Sequence, residues 1–157
     1  MKIKLIQIDP TDESWIIEGI EKYMKRIERY SKFEIQTLKV SKNIRQKTIP
    51  EQKSEEGKLL IKSISDMDYK ILLDEKGRSF PSSGFANYLQ NLQSYQRKNI
   101  VFIIGGPFGF SEEVYKIADD KIQLSEMTFS HQMIRVFFLE QIYRAFTIQK
   151  GEKYHHE

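Results

Sequence analysis

Hydrophobic positions along this chain switch repeatedly between a two-residue and a three-to-four-residue period. The opening MKIKLIQID alternates, so Lys2 to Ile8 is predicted as a strand, broken by Asp9 and Pro10. Thr11 or Asp12 is placed to cap a helix through about Tyr30, in which Trp15, Ile16, Ile20, Tyr23, Met24 and Ile27 recur at helical spacing and should face the core. Phe33 to Val40 is a second strand. Ser41 to Pro50 is polar, charged and nearly free of hydrophobic residues, which predicts a mobile loop. Glu51 to Ile64 is a helix, and Tyr69 to Leu73 a third strand ending in the turn Asp74-Glu75-Lys76-Gly77. A helix from Ser82 or Ser83 to about Tyr95 and a strand from Asn99 to Ile104 come next. They are followed by a short helix (Ser111 to Ala118), a fifth strand (Lys121 to Leu124) and a last helix (His131 to Gln149).

Strands that alternate with helices throughout predict an α/β fold, a mostly parallel sheet with helices on both faces. Neither repeat nor linker divides the chain, so residues 1–157 are expected to form one domain. The last helix stands apart. Met133, Ile134, Val136, Phe137, Phe138, Leu139, Ile142, Tyr143, Phe146 and Ile148 point in nearly every direction around a helical wheel, so more than one side must be covered. Either the first helix covers it or, the favoured expectation, a homodimer forms in which this helix packs on its symmetry mate. Within it Glu140 and Arg144 are spaced i,i+4 for an ion pair, whereas Arg135 has no such partner and is expected to be free to meet an anion.

Composition narrows the function classes. No apolar run approaches the roughly 20 residues of a membrane span, and the start has neither the long apolar stretch nor the cleavage site of a signal peptide, so a cytoplasmic protein is expected. The chain has no cysteine, hence neither disulfides nor thiolate chemistry. Its three histidines, His131, His155 and His156, lack ligand spacing, so no metal site is expected. Net charge is only +3, but 25 basic residues permit a local basic surface. Lys22, Lys25, Arg26 and Arg29 share the first helix; Lys42, Arg45 and Lys47 lie in the polar stretch, and Lys150 and Lys153 near the end. With an aromatic Tyr154-His155-His156 tail able to stack on bases, these make RNA a candidate partner.

The candidate chemistry lies in the last third. GGPFG (Gly105 to Gly109) closes the fourth strand, and LSEMTFSHQMIRV (Leu124 to Val136) follows the fifth; loops at the carboxyl ends of parallel strands are where open α/β sheets bind small ligands. Glycines at the first loop allow positive φ and close backbone approach. The chain has no GxxxxGK[ST], and Glu112 and Glu113 put negative charge where a phosphate would sit, so a neutral or zwitterionic ligand fits better than a polyphosphate. His131 is a candidate general base, substrate contact or simple helix-start residue.

Phe102 to Gly109 (FIIGGPFG), Leu124 to Val136, Leu139 to Phe146 (LEQIYRAF), ILLDEKG at Ile71 to Gly77 and the closing Tyr154-His155 together resemble the SPOUT-class bacterial methyltransferases that modify N3 of a pseudouridine in large-subunit ribosomal RNA. The likeness extends over essentially the whole chain, with one departure: Ser130 stands where such proteins usually have proline. It implies a deep C-terminal trefoil knot and a homodimer that brings each cofactor near the partner's tail. It also implies an S-adenosylmethionine site made by Leu73, Gly105 and the run Leu124, Ser125, Glu126, Met127, Thr128 and Phe129. His131, Arg135, Tyr154 and His155 are then expected to handle the ribosomal RNA or assembled ribosome, with the base unassigned. The rival expectations are a non-catalytic RNA-binding or ribosome-associated module on the same fold, and a flavodoxin-like domain that binds another nucleotide.

Overall fold

A computed structural model describes residues 1–156. Five strands, β1 (Ile3–Ile8), β2 (Phe33–Leu38), β3 (Asp68–Ser79), β4 (Asn99–Ile104) and β5 (Asp120–Gln123), form one sheet in the order β2-β1-β4-β3-β5, with every pairing parallel. Six helices cover it: α1 (Ser14–Ile27), α2 (Lys42–Arg45), α3 (Ile49–Ser63), α4 (Ser82–Tyr95), α5 (Glu112–Ile117) and α6 (Met133–Gln149).

Period-two alternation sends the strand residues into two cores. Ile3, Leu5, Ile71, Ile100, Phe102 and Ile104 face one side and pack with buried residues of α1, α4 and α6. Ile6, Ile8, Leu72, Val101 and Ile103 face the other, against Leu60 of α3, Val114 of α5 and Phe110 of the loop before it. Both faces being buried explains why NIVFII reads as a continuous apolar run.

α6 lies between α1 and α4 and buries Phe138, Leu139, Ile142, Ala145 and Phe146, with Phe138 4.9 Å from Phe102 and Phe146 stacked on Tyr30 at 5.6 Å between ring centroids. Its apolar breadth is therefore largely absorbed by the sheet and two flanking helices. Contact with α1 is close because Gly19 leaves room: a Cβ there would stand 2.7 Å from Val136 Cγ2. What remains uncovered is Phe137, 40% exposed, with Trp15 at 53% and Ile17 at 37% on α1. Trp15 was expected in the core and lies outside it.

Three local expectations are corrected. The polar stretch Ser41 to Pro50 is structured: Ser41 Oγ accepts from Ile44 N to start α2, and Thr48 and Glu51 form a reciprocal capping box that starts α3 with Pro50 in its first turn. β3 does not end at Asp74 to Gly77: these four residues bulge out of the ladder, Leu73 and Arg78 both pairing with Ile122 of β5, and the strand then resumes to Ser79. Gly77 is needed there because a Cβ would fall 2.4–2.6 Å from the backbone of Ile122; in a strand, glycine marked a bulge and a close approach. Finally, α1 starts at Ser14, since the Thr11 hydroxyl is engaged by Arg135 and the Asp12 amide donates to Gln132 Oε1.

Candidate active site

A cleft of about 570 Å³ opens at the carboxyl ends of β3, β4 and β5. β3 brings Leu73 to its wall, β4 runs into Gly105, and β5 into Leu124. The connection from β4 to β5 passes over β3, so the loops that leave these three neighbouring strands diverge and leave a crevice between them. All eight residues expected at the cofactor, Leu73, Gly105, Leu124, Ser125, Glu126, Met127, Thr128 and Phe129, line this one cleft, and His131 joins them.

The glycine loop is shaped differently from the expectation. Gly105 and Gly106 do not adopt positive φ; Gly109 does, at 83°, and its amide donates to the Gly106 carbonyl at 3.2 Å. Gly105 and Gly106 are required by proximity instead. A Cβ on Gly105 would lie 3.0–3.3 Å from the Phe110 ring, and one on Gly106 2.3 Å from both carboxylate oxygens of Glu56. Ser111 Oγ caps α5 through Val114 N.

Ser125 to His131 is held by its own serines. Ser125 Oγ accepts from Met127 N at 3.0 Å and Ser130 Oγ from Met133 N at 3.1 Å, so the hydroxyl at Ser130 satisfies a donor of the first turn of α6. Phe129 packs on Phe137 at 4.9 Å. Met127, expected in the cofactor site, lines the cleft at its rim and is 78% exposed.

Asp74, Glu75, Glu112 and Glu126 face Lys53 and Lys76 around the cleft, an acidic excess that repels polyphosphate and suits a ligand with cationic groups. Of these, Lys53, Asp74, Glu75 and Lys76, like the nearby Tyr115, were not read as site residues from the sequence; Asp74 directly follows a strand-end leucine and was the available signal. Burial, and then Asp74, pushes the Tyr115 hydroxyl's pKa well up, which keeps it a neutral donor.

His131 is half-buried, and its pKa is lowered first by desolvation and then by the positive charges of Arg135 and Arg45, which outweigh Asp9 and Asp12. Its imidazole is thus neutral at neutral pH. Arg135 is not free to meet an anion. It is fully buried, donates from Nη1 to Thr11 Oγ1 at 2.9 Å and from Nη2 to the Ile8 carbonyl at 2.5 Å, and leaves Nε unpartnered. It braces the end of β1 and lies outside the cleft lining. Beside it, Asp9 (φ 62°) accepts from Val40 N and from Arg45, whose other nitrogen reaches the buried Glu56 at 3.4 Å.

The tail folds onto the far half of α6. Tyr154 donates to Glu140 Oε1 at 2.9 Å and packs edge-on against Tyr143; the expected Glu140–Arg144 pair forms at 2.5 Å, and Arg144 also meets His155 Nδ1 at 3.1 Å. Thirteen helical residues separate His131 from Arg144, roughly 20 Å at 1.5 Å per residue. The structure therefore does not bring Tyr154 and His155 to the cleft of their own chain. Among the described residues, no helix is long and apolar enough to cross a membrane and no group of metal-ligating side chains occurs.

A parallel α/β sheet with a ligand cleft built from a glycine turn and a second strand-end loop defines a class, and comparison with known proteins identifies it. The family described as "Predicted SPOUT methyltransferase" matches residues 1–155, and the chain belongs to that family; it is a methyltransferase whose cofactor is S-adenosylmethionine. More particularly, it is 49% identical over 157 residues to a protein of Parabacteroides distasonis named ribosomal RNA large subunit methyltransferase H, with the whole of both chains covered. It is 50% identical over 159 residues to the protein of that name from Christiangramia forsetii, covering 99% of each. A probable methylase family protein from Haemophilus influenzae shares the fold at a TM-score of 0.54 and 14% identity, over 99% of this chain and 70% of that one.

Proposed function

We propose that this chain methylates N3 of a pseudouridine in large-subunit ribosomal RNA in the cytoplasm, working as a single-domain subunit of a homodimer. The observation that carries this reading is the convergence of Leu73, Gly105 and Leu124 to Phe129, far apart in sequence, on one cleft of about 570 Å³. That volume lies within the range of roughly 300–1,000 Å³ usual for small-molecule sites. The full-length identity to ribosomal RNA methyltransferases supports the choice of RNA.

S-adenosylmethionine supplies an electrophilic sulfonium methyl group. Leu73, Gly105 and the loop from Leu124 to Phe129 would hold it, their backbone amides and carbonyls taking its polar ends. The acidic rim complements its cationic groups. The chain's main contribution is alignment, since bringing donor and acceptor together in line removes much of the entropic barrier. Transfer would form an N–C bond as the sulfonium S–C bond breaks, with S-adenosylhomocysteine leaving as a neutral thioether and the proton of the acceptor nitrogen passing to solvent. His131, neutral and on the cleft wall, offers one hydrogen-bond donor and one acceptor to the edge of a uracil ring. Arg135 acts as a brace that fixes this end of α6 rather than as an RNA contact. Tyr154 and His155, some 20 Å along the helix from their own cleft, would serve the partner's; the exposed Phe137, Trp15 and Ile17 offer the apolar contact for such a dimer. The trefoil-knotted path belongs to the same reading. It is supported by β5 lying beyond β3 while the segment after it returns to line the cleft beside Gly105.

The test is calorimetry with S-adenosylmethionine, together with methyl transfer to free large-subunit RNA, isolated large subunits and whole ribosomes from a strain lacking the modification. Micromolar binding and transfer to one of the three substrates are expected. Binding without transfer to any of them would leave a non-catalytic module as the correct reading.

A further inference from the structure

The exposed face of α1 carries a charge pattern that the cleft does not use. Lys22, Lys25 and Arg26 lie at i, i+3 and i+4 on α1, within an arc of about 100°, and Arg29 follows at i+7 in the turn just past its end. Lys22, Lys25 and Arg29 are exposed and Arg26 is half-buried. Among the described residues, none of the four has a carboxylate within ion-pair distance, although Glu18, Glu21 and Glu28 share the helix. Elsewhere on the molecule Arg45 and Arg78 are each engaged by an aspartate.

Aromatic rings line the same surface. The Arg26 guanidinium sits 5.5 Å from the Tyr23 ring centroid and 5.4 Å from that of Tyr143, and the Lys22 ammonium is 6.0 Å from Tyr23. Tyr143 packs on Tyr154, over which Arg144 lies at 4.8 Å. Tyr30, near the end of α1, donates to Glu152 at 2.7 Å, which ties the stripe to the tail and to Lys150 and Lys153. The result is a basic and aromatic surface on the second half of α1, linked through the Arg26–Tyr143 contact to the end of α6, where Glu140 and Glu152 hold the rings of Tyr154 and Tyr30.

Unpaired cations in register along one helix face, beside rings fixed by neighbouring guanidinium groups, match a polyanion with planar bases better than an acidic protein patch. We propose that this stripe of α1 is a docking surface for the phosphate backbone of the RNA substrate, outside the cleft in which the methyl group is transferred. The inference rests on the reading of the chain as a ribosomal RNA methyltransferase.

The experiment compares the full-length protein with the triple variant K22A/K25A/R29A, which leaves Arg26 and its ring contacts in place. Filter binding to large-subunit RNA is measured across a potassium chloride series. Each phosphate contact removed should flatten the log–log salt dependence by roughly 0.7–1, so a slope lower by about 2–3 is expected, with affinity at 0.1 M salt weakened at least about tenfold. Affinity for S-adenosylmethionine and the sedimentation coefficient should not change, and lysine-to-arginine replacements at positions 22 and 25 should retain the slope. An unaltered slope and affinity would overturn the proposal. So would a variant that loses binding to polyglutamate but not to RNA, which would mark the face as a protein contact. Because binding is read without turnover, absence of methyl transfer by the unmodified chain would overturn the enzymatic reading and leave the stripe to be decided by its slope.

Discussion

Gly106→Ala, combined with Glu56→Ala, offers the sharpest test of how the glycine loop is built. The added methyl would lie 2.3 Å from both oxygens of a carboxylate that is itself only 2% exposed, so the side chain of Glu56 must move. Moving it breaks the 3.4 Å contact with Arg45 and disturbs a group already buried at a cost, since desolvation raises the Glu56 pKa against the pull of Arg45. Overpacking of this kind costs about 1–3 kcal/mol. Replacing glycine by alanine also restricts the unfolded chain, which offsets about 0.4–1 kcal/mol. A net destabilisation of roughly 0.5–2 kcal/mol is expected by urea unfolding. In the Glu56→Ala background the obstacle is gone, and the same glycine replacement should be neutral or slightly stabilising, giving a coupling energy of about 1–3 kcal/mol. Equal costs in the two backgrounds, within about 0.5 kcal/mol, would show that the close approach of Glu56 is not what requires glycine at 106.

Arg135→Ala is expected to destabilise the fold by roughly 2–4 kcal/mol, through lost hydrogen bonds to Ile8 and Thr11 and lost packing; a stable variant that had merely lost methyl transfer would restore Arg135 to the substrate surface. Phe138→Ala should cost about 3–5 kcal/mol because the ring is fully buried in the chain's own core, while Phe137→Glu should leave the monomer folded and shift the sedimentation equilibrium from dimer towards monomer. His131 has a folded-state pKa below its ordinary 6.5, so the unfolded chain binds the proton more readily. Stability should therefore fall as pH drops through about 6.5 and level off below the folded value, and a His131→Gln variant should lose that dependence in pH-resolved thermal melts. Truncation after Gly151 removes Tyr154 and its bond to Glu140; methyl transfer should collapse while affinity for S-adenosylmethionine, measured by calorimetry, stays near that of the full chain.

Much of the fold was legible because its signals are local. NIVFII was delimited correctly since both faces of β4 are buried and a glycine pair follows it. The cleft-lining loops were legible for the same reason: glycine and serine cluster where strands end. The misses come from contacts made across the chain. Asp74 to Gly77 has the composition of a turn and does bulge out of the ladder, but that the strand resumes beyond it is decided by pairing of Arg78 and Ser79 with β5. Arg135 lacks a partner on its own helix, and nothing nearby in sequence shows that its partners are Ile8 and Thr11, more than 120 positions away. Trp15 obeys the helical period, yet α1 has only one covered face and the ring falls at its edge. The polar stretch before α3 was misread although T-I-P-E, a capping box with proline, was present at Thr48 to Glu51.

The bond between Arg135 and the Ile8 carbonyl also bears on how the protein is made. A ribosome releases the first strand long before the last helix, at about 5–20 residues per second. Through that interval of several seconds the end of β1 has no guanidinium to close it. The cleft is likewise lined by Leu73, Gly105 and the run from Leu124 to His131, so its walls are complete only once that last run has been made. The cleft is therefore assembled late in translation, and a premature stop before α6 yields a chain that lacks the brace on β1.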